Sequence, residues 1–246
     1  MADHLFIMGL GRSGTTVLAQ VLNQHGEIAM GMERFKKAWP DLSALTPAHF
    51  TRERFFDFSD EMTNIAPWRP EWRDYYARID EKFDRVRYVG DKITNLFVLK
   101  LLTSFPQGQV VVIARDLAAT AASWDARAKN PADVNWPAKN DGVAAIRFWN
   151  DALHKTIRAV SQHPGQVHVV EYERVFSDPE ATSLRRLSAA LGLEWDEGID
   201  TAFSAAHAIY AERIVGKVRR LDDDLQARID RDADTTAWKA VLDLTL

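Results

Sequence analysis

HLFIMGLGRSGTTVLAQVLNQH, residues 4–25, is the stretch that decides the fold. It reads as a short apolar strand, a glycine-rich loop and a helix in direct succession. Gly9 and Gly14 have the separation of the glycines in a phosphate-binding P-loop, and Thr16 supplies the closing hydroxyl. The lysine of that motif is missing. Thr15 stands in its place, and the cation within the loop is Arg12. A strand, tight loop and helix of this kind aim several backbone N–H groups at one point, and the helix N-terminus adds roughly half a positive charge there. The hydroxyls of Thr15 and Thr16 can donate to the same oxygens, and the planar fork of Arg12 suits two oxygens of one anionic group. In a nucleotide triphosphatase the lysine reaches the β- and γ-phosphates and the Ser/Thr holds Mg²⁺. A loop without that lysine favours a shorter 5′-anion chain and no metal.

Outward from the loop, further apolar runs read as buried strands: EIAMG (27–31), VRYVGD (86–91), QVVVIAR (109–115) and VHVVEYE (167–173). They alternate with helical patterns over 15–24, 96–105, 117–129 and 142–162 and a further helix starting at Pro179 and stopped by Gly192. That alternation predicts a three-layer α/β/α fold around a mainly parallel sheet of about five strands, P-loop-like in its opening unit. A long insert, 33–85, reads as helices capping a sheet edge, and the last thirty residues as two helices joined by an acidic turn. No linker divides the chain, so residues 1–246 are expected to form one domain. The 246 residues include no cysteine, which excludes disulfides, thiolate metal sites and cysteine nucleophiles. A formal net charge of −4 offers no global basic field for nucleic acid. The longest apolar run ends at Arg115, far short of the ~20 residues of a membrane span. The opening MADHLFIMG is too short and too acidic for a signal peptide, which makes the cytoplasm the expected location.

VVVIARDLAATAASW supplies a second anion site. Arg115 closes a buried strand, at the carboxyl edge where open α/β sheets bind ligands. Ser123, eight residues on, can present its hydroxyl to the same anion if the helix packs across that edge. Two separate anion sites ask for a nucleotide with two separate phosphate groups. The competing reading is that Arg115 simply pairs with Asp116 or another acid.

With these residues in place the chain resembles the sulfotransferase family that uses 3′-phosphoadenosine 5′-phosphosulfate (PAPS) as sulfuryl donor. Three blocks carry the resemblance: FIMGLGRSGTTVLAQVLNQHGEI, VVVIARDLAATAASW and VVEYERVFSDPEATSLRRLSAALGL. His25-Gly26 replaces the family's His-Pro turn, and Leu117 its usual proline. The resemblance implies that Gly11, Arg12, Ser13, Gly14, Thr15 and Thr16 wrap the 5′-phosphosulfate, that Arg115 and Ser123 hold the 3′-phosphate, and that PAP is the product. It implies that Arg12 steadies the charge on the departing oxygen, a role commonly worth roughly 3–4 kcal/mol, with no metal required.

The acceptor, a hydroxyl or amine, must lose its proton, and Glu33 is the expected general base, emerging after the second strand. Pairing with Arg34 or Lys36 is the plainer alternative. Lys92, in YVGDKITN, resembles a family lysine that points into the acceptor site, although Ile93 and Asn95 depart from that pattern. Lys217, in RIVGKVRR, is a candidate for closing over the 3′-phosphate. The mid-chain histidines, His49 and His154, lie in no matching context, and His25 reads as a turn residue. The acceptor class is open: saccharide, lipid-linked glycan, peptide tyrosine or small metabolite. A P-loop kinase or nucleotide triphosphatase, with Asp91 as the nearest magnesium-binding acid, and a non-catalytic PAP-binding relative are the competing functions.

Overall fold

A computed structural model describes residues 2–63, 65–213 and 221–246. β1 (Asp3–Gly9) leads through the glycine-rich loop into α1 (Thr15–Leu22) and β2 (Ile28–Met32). An insert of short 3₁₀ turns with α2 (Arg52–Phe56) and α3 (Pro70–Lys82) follows. Next come β3 (Tyr88–Thr94), α4 (Val98–Ser104), β4 (Gln109–Ala114), α5 (Leu117–Ala128), α6 (Gly142–Gln162) and β5 (Val167–Glu171). The chain then continues through α7 (Tyr172–Ser177), α8 (Thr182–Ala190), α9 (Glu197–Arg213), α10 (Asp223–Asp232) and α11 (Thr235–Asp243).

All five strands are parallel, in the order β2-β3-β1-β4-β5. Leu5, Phe6, Ile7 and Met8 of β1 are all fully buried, as a strand covered by helices on both faces must be. The expected α/β/α architecture is therefore the observed one. Five of the described helices start on an aspartate whose carboxylate accepts a backbone N–H three residues on: Asp116, Asp141, Asp196, Asp222 and Asp234. Each such cap contributes about 1 kcal/mol. α5 and α6 bury Trp124, Trp149 and Leu153 against Leu225 and Ile229 of α10 and Val241 of α11.

The register places the site. Gly9 lies beside Thr94, Met32 beside Lys92, and Ala114 beside Glu171. The loop after β1, Glu33 after β2, Thr94 at the end of β3, Arg115 after β4 and Tyr172 after β5 therefore leave the sheet at one edge. The chain runs from central β1 out to β2 and back to β3. It then crosses to β4, and such a reversal opens a crevice at the carboxyl ends of the strands.

The insert does cap an edge. On the β2 side, the Tyr75 hydroxyl donates to Met30 O at 2.7 Å and the Tyr76 hydroxyl accepts from Met32 N at 3.0 Å. Two tyrosines thus satisfy backbone groups that an open strand edge would leave to solvent.

Sequence and structure differ in places. The fifth strand stops at Glu171, and Tyr172 opens α7 instead of extending it. Pro179 does not begin a helix: Asp178 takes the N–H groups of Glu180 and Thr182, Ala181 is left-handed at φ 54°, and α8 starts at Thr182. α9, a segment not assigned above, buries Ile199, Phe203, Ala206 and Tyr210 along one stripe.

Candidate active site

Gly14 is the N-cap of α1, at φ 96°. A Cβ there would come within 2.2 Å of the Tyr172 ring, so both backbone conformation and packing require glycine. Arg12 is left-handed too, at φ 74°, which turns its side chain out of the loop and leaves it exposed. Its Nε donates to Ser123 Oγ at 3.1 Å. Gly11 is held from above, where Trp124 Nε1 donates to its carbonyl at 2.7 Å. Thr16 is exposed at the start of α1, while Thr15 is buried. The Ser13 N–H donates to Leu10 O at 3.0 Å, and its buried hydroxyl has no hydrogen-bond partner among the described residues.

Arg115 sits beside the loop. Its Nη1 donates to Arg12 O at 2.9 Å, its Nε to Glu173 at 3.3 Å, and its guanidinium lies 4.2 Å from the centre of the Tyr172 ring. Trp149 Nε1 fixes the Arg115 carbonyl at 2.8 Å. Asp116 does not pair with Arg115; it caps α5 by accepting from Ala119 N. Burial raises the Glu173 carboxyl above the usual range, against the pull of Arg115. Arg12, Ser123 and Arg115 are thus one connected cluster.

The second cluster meets across β2 and β3. Glu33 follows β2 in a left-handed conformation, φ 54°. Lys92 Nζ donates to Glu33 Oε1 at 2.6 Å and the Thr94 hydroxyl donates to the same oxygen at 2.7 Å. The Lys92 side chain is only 4% exposed. Burial by itself raises the Glu33 carboxyl, but the charge and hydrogen bond of Lys92, the Thr94 hydroxyl and Lys36 outweigh it, so the net shift is downward. Glu33 is therefore an ionised carboxylate at neutral pH, held by Lys92 and Thr94. Arg34 is fully buried and donates to the carbonyls of Phe55, Arg54 and Asp57.

Asp91 sits beneath this turn, fully buried, with its carboxylate oxygens accepting from Arg34 N at 3.0 Å and Phe35 N at 3.1 Å. Burial pushes its carboxyl up to about 7, against those two donors and Lys92. An acid used up by backbone N–H groups in this way is a structural hook, and the magnesium-binding role considered for Asp91 does not fit it.

The scan against family models matches residues 4–197 to the sulfotransferase family. The chain belongs to the sulfotransferase family. It is 23% identical over 211 residues to the Caenorhabditis briggsae protein named "Putative protein-tyrosine sulfotransferase", covering 78% of this chain and 66% of that protein, just under two thirds of its length. Among solved structures, the sulfotransferase domain from the curacin biosynthetic pathway superposes with a TM-score of 0.55 at 14% identity, over 94% of this chain and 97% of that one. Mouse sulfotransferase SULT7A1, solved with PAP, gives 0.51 at 12% identity, over 97% and 82%. At such identities the structures establish the shared fold.

The remaining expected residues are placed as follows. His25 is a turn residue: its Nδ1 accepts from Glu27 N at 3.0 Å, which leaves the proton on Nε2 for Glu194 O at 2.7 Å. His49 closes a cap with Thr46, and His154 pairs with Asp234. Lys217 lies outside the described residues. Among the described residues no helix is long and apolar enough to cross a membrane. Two site residues were not singled out from the sequence. Thr94 is one, although it stands two positions after Lys92 on a strand and so shares its face. Tyr172 is the other, its ring packed between Gly14 and Arg115. Beside that ring, α1 and α9 border an apolar groove of about 820 Å³, lined in part by Val17, Val21, Tyr172, Ala202 and Tyr210.

Proposed function

We propose that the protein transfers the sulfuryl group of PAPS to a hydroxyl or amine acceptor, with Glu33 as general base. The observation that carries this reading is the convergence at one sheet edge of the glycine-rich loop, the Arg12–Ser123–Arg115 cluster and the Glu33–Lys92–Thr94 cluster.

The donor set fits a nucleotide carrying two separated anions. The loop and the N-terminus of α1, with Arg12 and Thr16, suit the 5′-phosphosulfate, while Arg115 and Ser123 suit the 3′-phosphate. The apolar groove beside Tyr172 and Val17 offers a place for the adenine. PAPS supplies the sulfuryl group when bound. The residues of the chain do the rest. Glu33 takes the acceptor proton as the acceptor oxygen or nitrogen bonds to sulfur. The bond from sulfur to the 5′-phosphate oxygen breaks, and Arg12 and Lys92 balance the negative charge on the departing and non-bridging oxygens. PAP leaves, and the proton on Glu33 passes to solvent.

Calorimetry with PAP, AMP and ATP·Mg²⁺ tests the donor half. PAP binding in the micromolar range that is far weaker for AMP, and that Arg115→Ala removes, supports a two-anion site. ATP·Mg²⁺ binding without PAP binding would return the loop to a nucleotide triphosphate. A screen of saccharide, phenolic and small hydroxyl acceptors, read as PAP released from PAPS, then tests transfer; binding without transfer favours a PAP-binding relative that has lost catalysis.

A further inference from the structure

On the reading that Glu33 is the base, we propose that Thr94 is its positioning residue, tying the orientation of the carboxylate to the glycine-rich loop and holding it when Lys92 is drawn toward the sulfuryl oxygens.

Thr94 ends β3 directly beside Gly9, the first residue of the loop. Its two branches face two different parts of the site. The hydroxyl donates to Glu33 Oε1 at 2.7 Å, the oxygen that also takes Lys92 Nζ. The methyl group lies 3.5 Å from where a Cβ on Gly11 would stand, and Trp136 and Trp124 border the same space at 3.6 and 3.8 Å. A β-branched side chain on a strand is stiff about χ1, so seating the methyl against the loop fixes the direction of the hydroxyl. The backbone adds a second tie one residue later, where Asn95 N donates to Gly9 O at 2.8 Å. Loop and carboxylate are thus joined through one short segment of β3.

Lys92 alone is a poor anchor for a base. It is a cation, 2.6 Å from Glu33 and 3.5 Å from Thr94 Oγ1, and a dianionic phosphosulfate placed on the adjoining loop attracts it. A neutral hydroxyl is not pulled away by that charge. The charged and titratable groups around Glu33 are Lys92 on β3, Lys36 on the turn after Glu33, Asp91 on the opposite face of β3, and the Tyr76 hydroxyl of α3. Of these, Lys92 makes a contact that is both short and subject to competition from the ligand.

The branches can be separated by substitution. Thr94→Val keeps the methyl and removes the donor; Thr94→Ser keeps the donor and removes the methyl; Thr94→Ala, which adds no bulk, checks that any effect of valine is not a packing fault. The Glu33 carboxyl carbon is followed by NMR titration with PAP present, its signal assigned by its loss in Glu33→Gln. The expected result is a rise of about one pH unit in its titration in Thr94→Val and Thr94→Ala, and a midpoint near wild type in Thr94→Ser. The acid limb of the pH profile for PAP release from PAPS, with water as acceptor, moves up with it, and kcat falls about tenfold while the KM for PAPS holds. A wild-type titration and pH limb in Thr94→Val overturn the proposal. Full transfer by Glu33→Gln, with the shifted titration still present in Thr94→Val, overturns the base assignment instead.

Discussion

Arg12, Ser123 and Arg115 hold one another across the mouth of the crevice, whereas Glu33, Lys92 and Thr94 are locked from below. Around the loop Arg12 is exposed and Arg115 half-buried, and the anchors are indole N–H groups on backbone carbonyls. Beneath Glu33 the supports are buried: Asp91 under the turn, Arg34 in the insert, and Tyr76 of α3 against Met32 of β2. The contrast matches the two tasks. A site for a large anionic nucleotide must open and rearrange its cations around the ligand, while a base must keep one orientation through the reaction.

The contrast can be broken at either end. The largest effect is expected from Arg12→Ala, a loss of a hundredfold or more in transfer, of the size found for a lost transition-state donor, read in steady-state kinetics. Near-normal turnover would remove Arg12 from the mechanism. Glu33→Gln is expected to lower kcat strongly while calorimetric affinity for PAP changes little, because the substitution lies outside the nucleotide cluster. Arg115→Ala should do the reverse, weakening PAP by tenfold or more and AMP much less. Equal losses for the two nucleotides would mean that Arg115 does not read the 3′-phosphate.

Smaller effects sharpen the structural side of the comparison. Asp91→Ala leaves two buried N–H groups without an acceptor and is expected to cost about 2–3 kcal/mol in denaturant unfolding, with nothing comparable for Ser123→Ala, whose hydroxyl accepts from the exposed Arg12 side chain. Asp91 also carries a pH signature. Its carboxyl is pushed up to about 7, so the folded chain keeps a proton there that the unfolded chain has released from about pH 4 upward. Its contribution to stability is therefore full below about pH 4, falls as pH rises to about 7, and is flat above. Asp91→Asn should erase that slope in a pH series of thermal melts. Tyr76→Phe, which removes one hydroxyl acceptor from Met32 N, is expected to cost about 1 kcal/mol.

The same contrast explains what could be read from the sequence. The nucleotide side was legible because its residues are consecutive, as in residues 9–16, or set by one strand-to-helix spacing, as in Arg115 and Ser123. The sheet was legible for a similar reason: strands buried on both faces are continuous apolar runs. Glu33 and Lys92 were both found as candidates, but their 2.6 Å contact depends on the register of β2 on β3, which no local pattern encodes. Thr94 was passed over because a lone threonine at a strand end has many ordinary uses. Tyr172 was assigned to a strand, since the apolar pattern of 167–173 does not show that the chain must turn at Glu171 to lay a ring beneath Arg115.

Five non-glycine residues among those described take a positive φ, and three of them, Arg12, Glu33 and Asn95, lie in this crevice, the last at 120°. Each holds a conformation that glycine adopts without penalty and other side chains adopt at about 1 kcal/mol or more. A laboratory selection for heat resistance alone will therefore reward glycine at positions 12 and 33. Its survivors will be sturdier proteins that have discarded the guanidinium and the carboxylate for which the strain was kept.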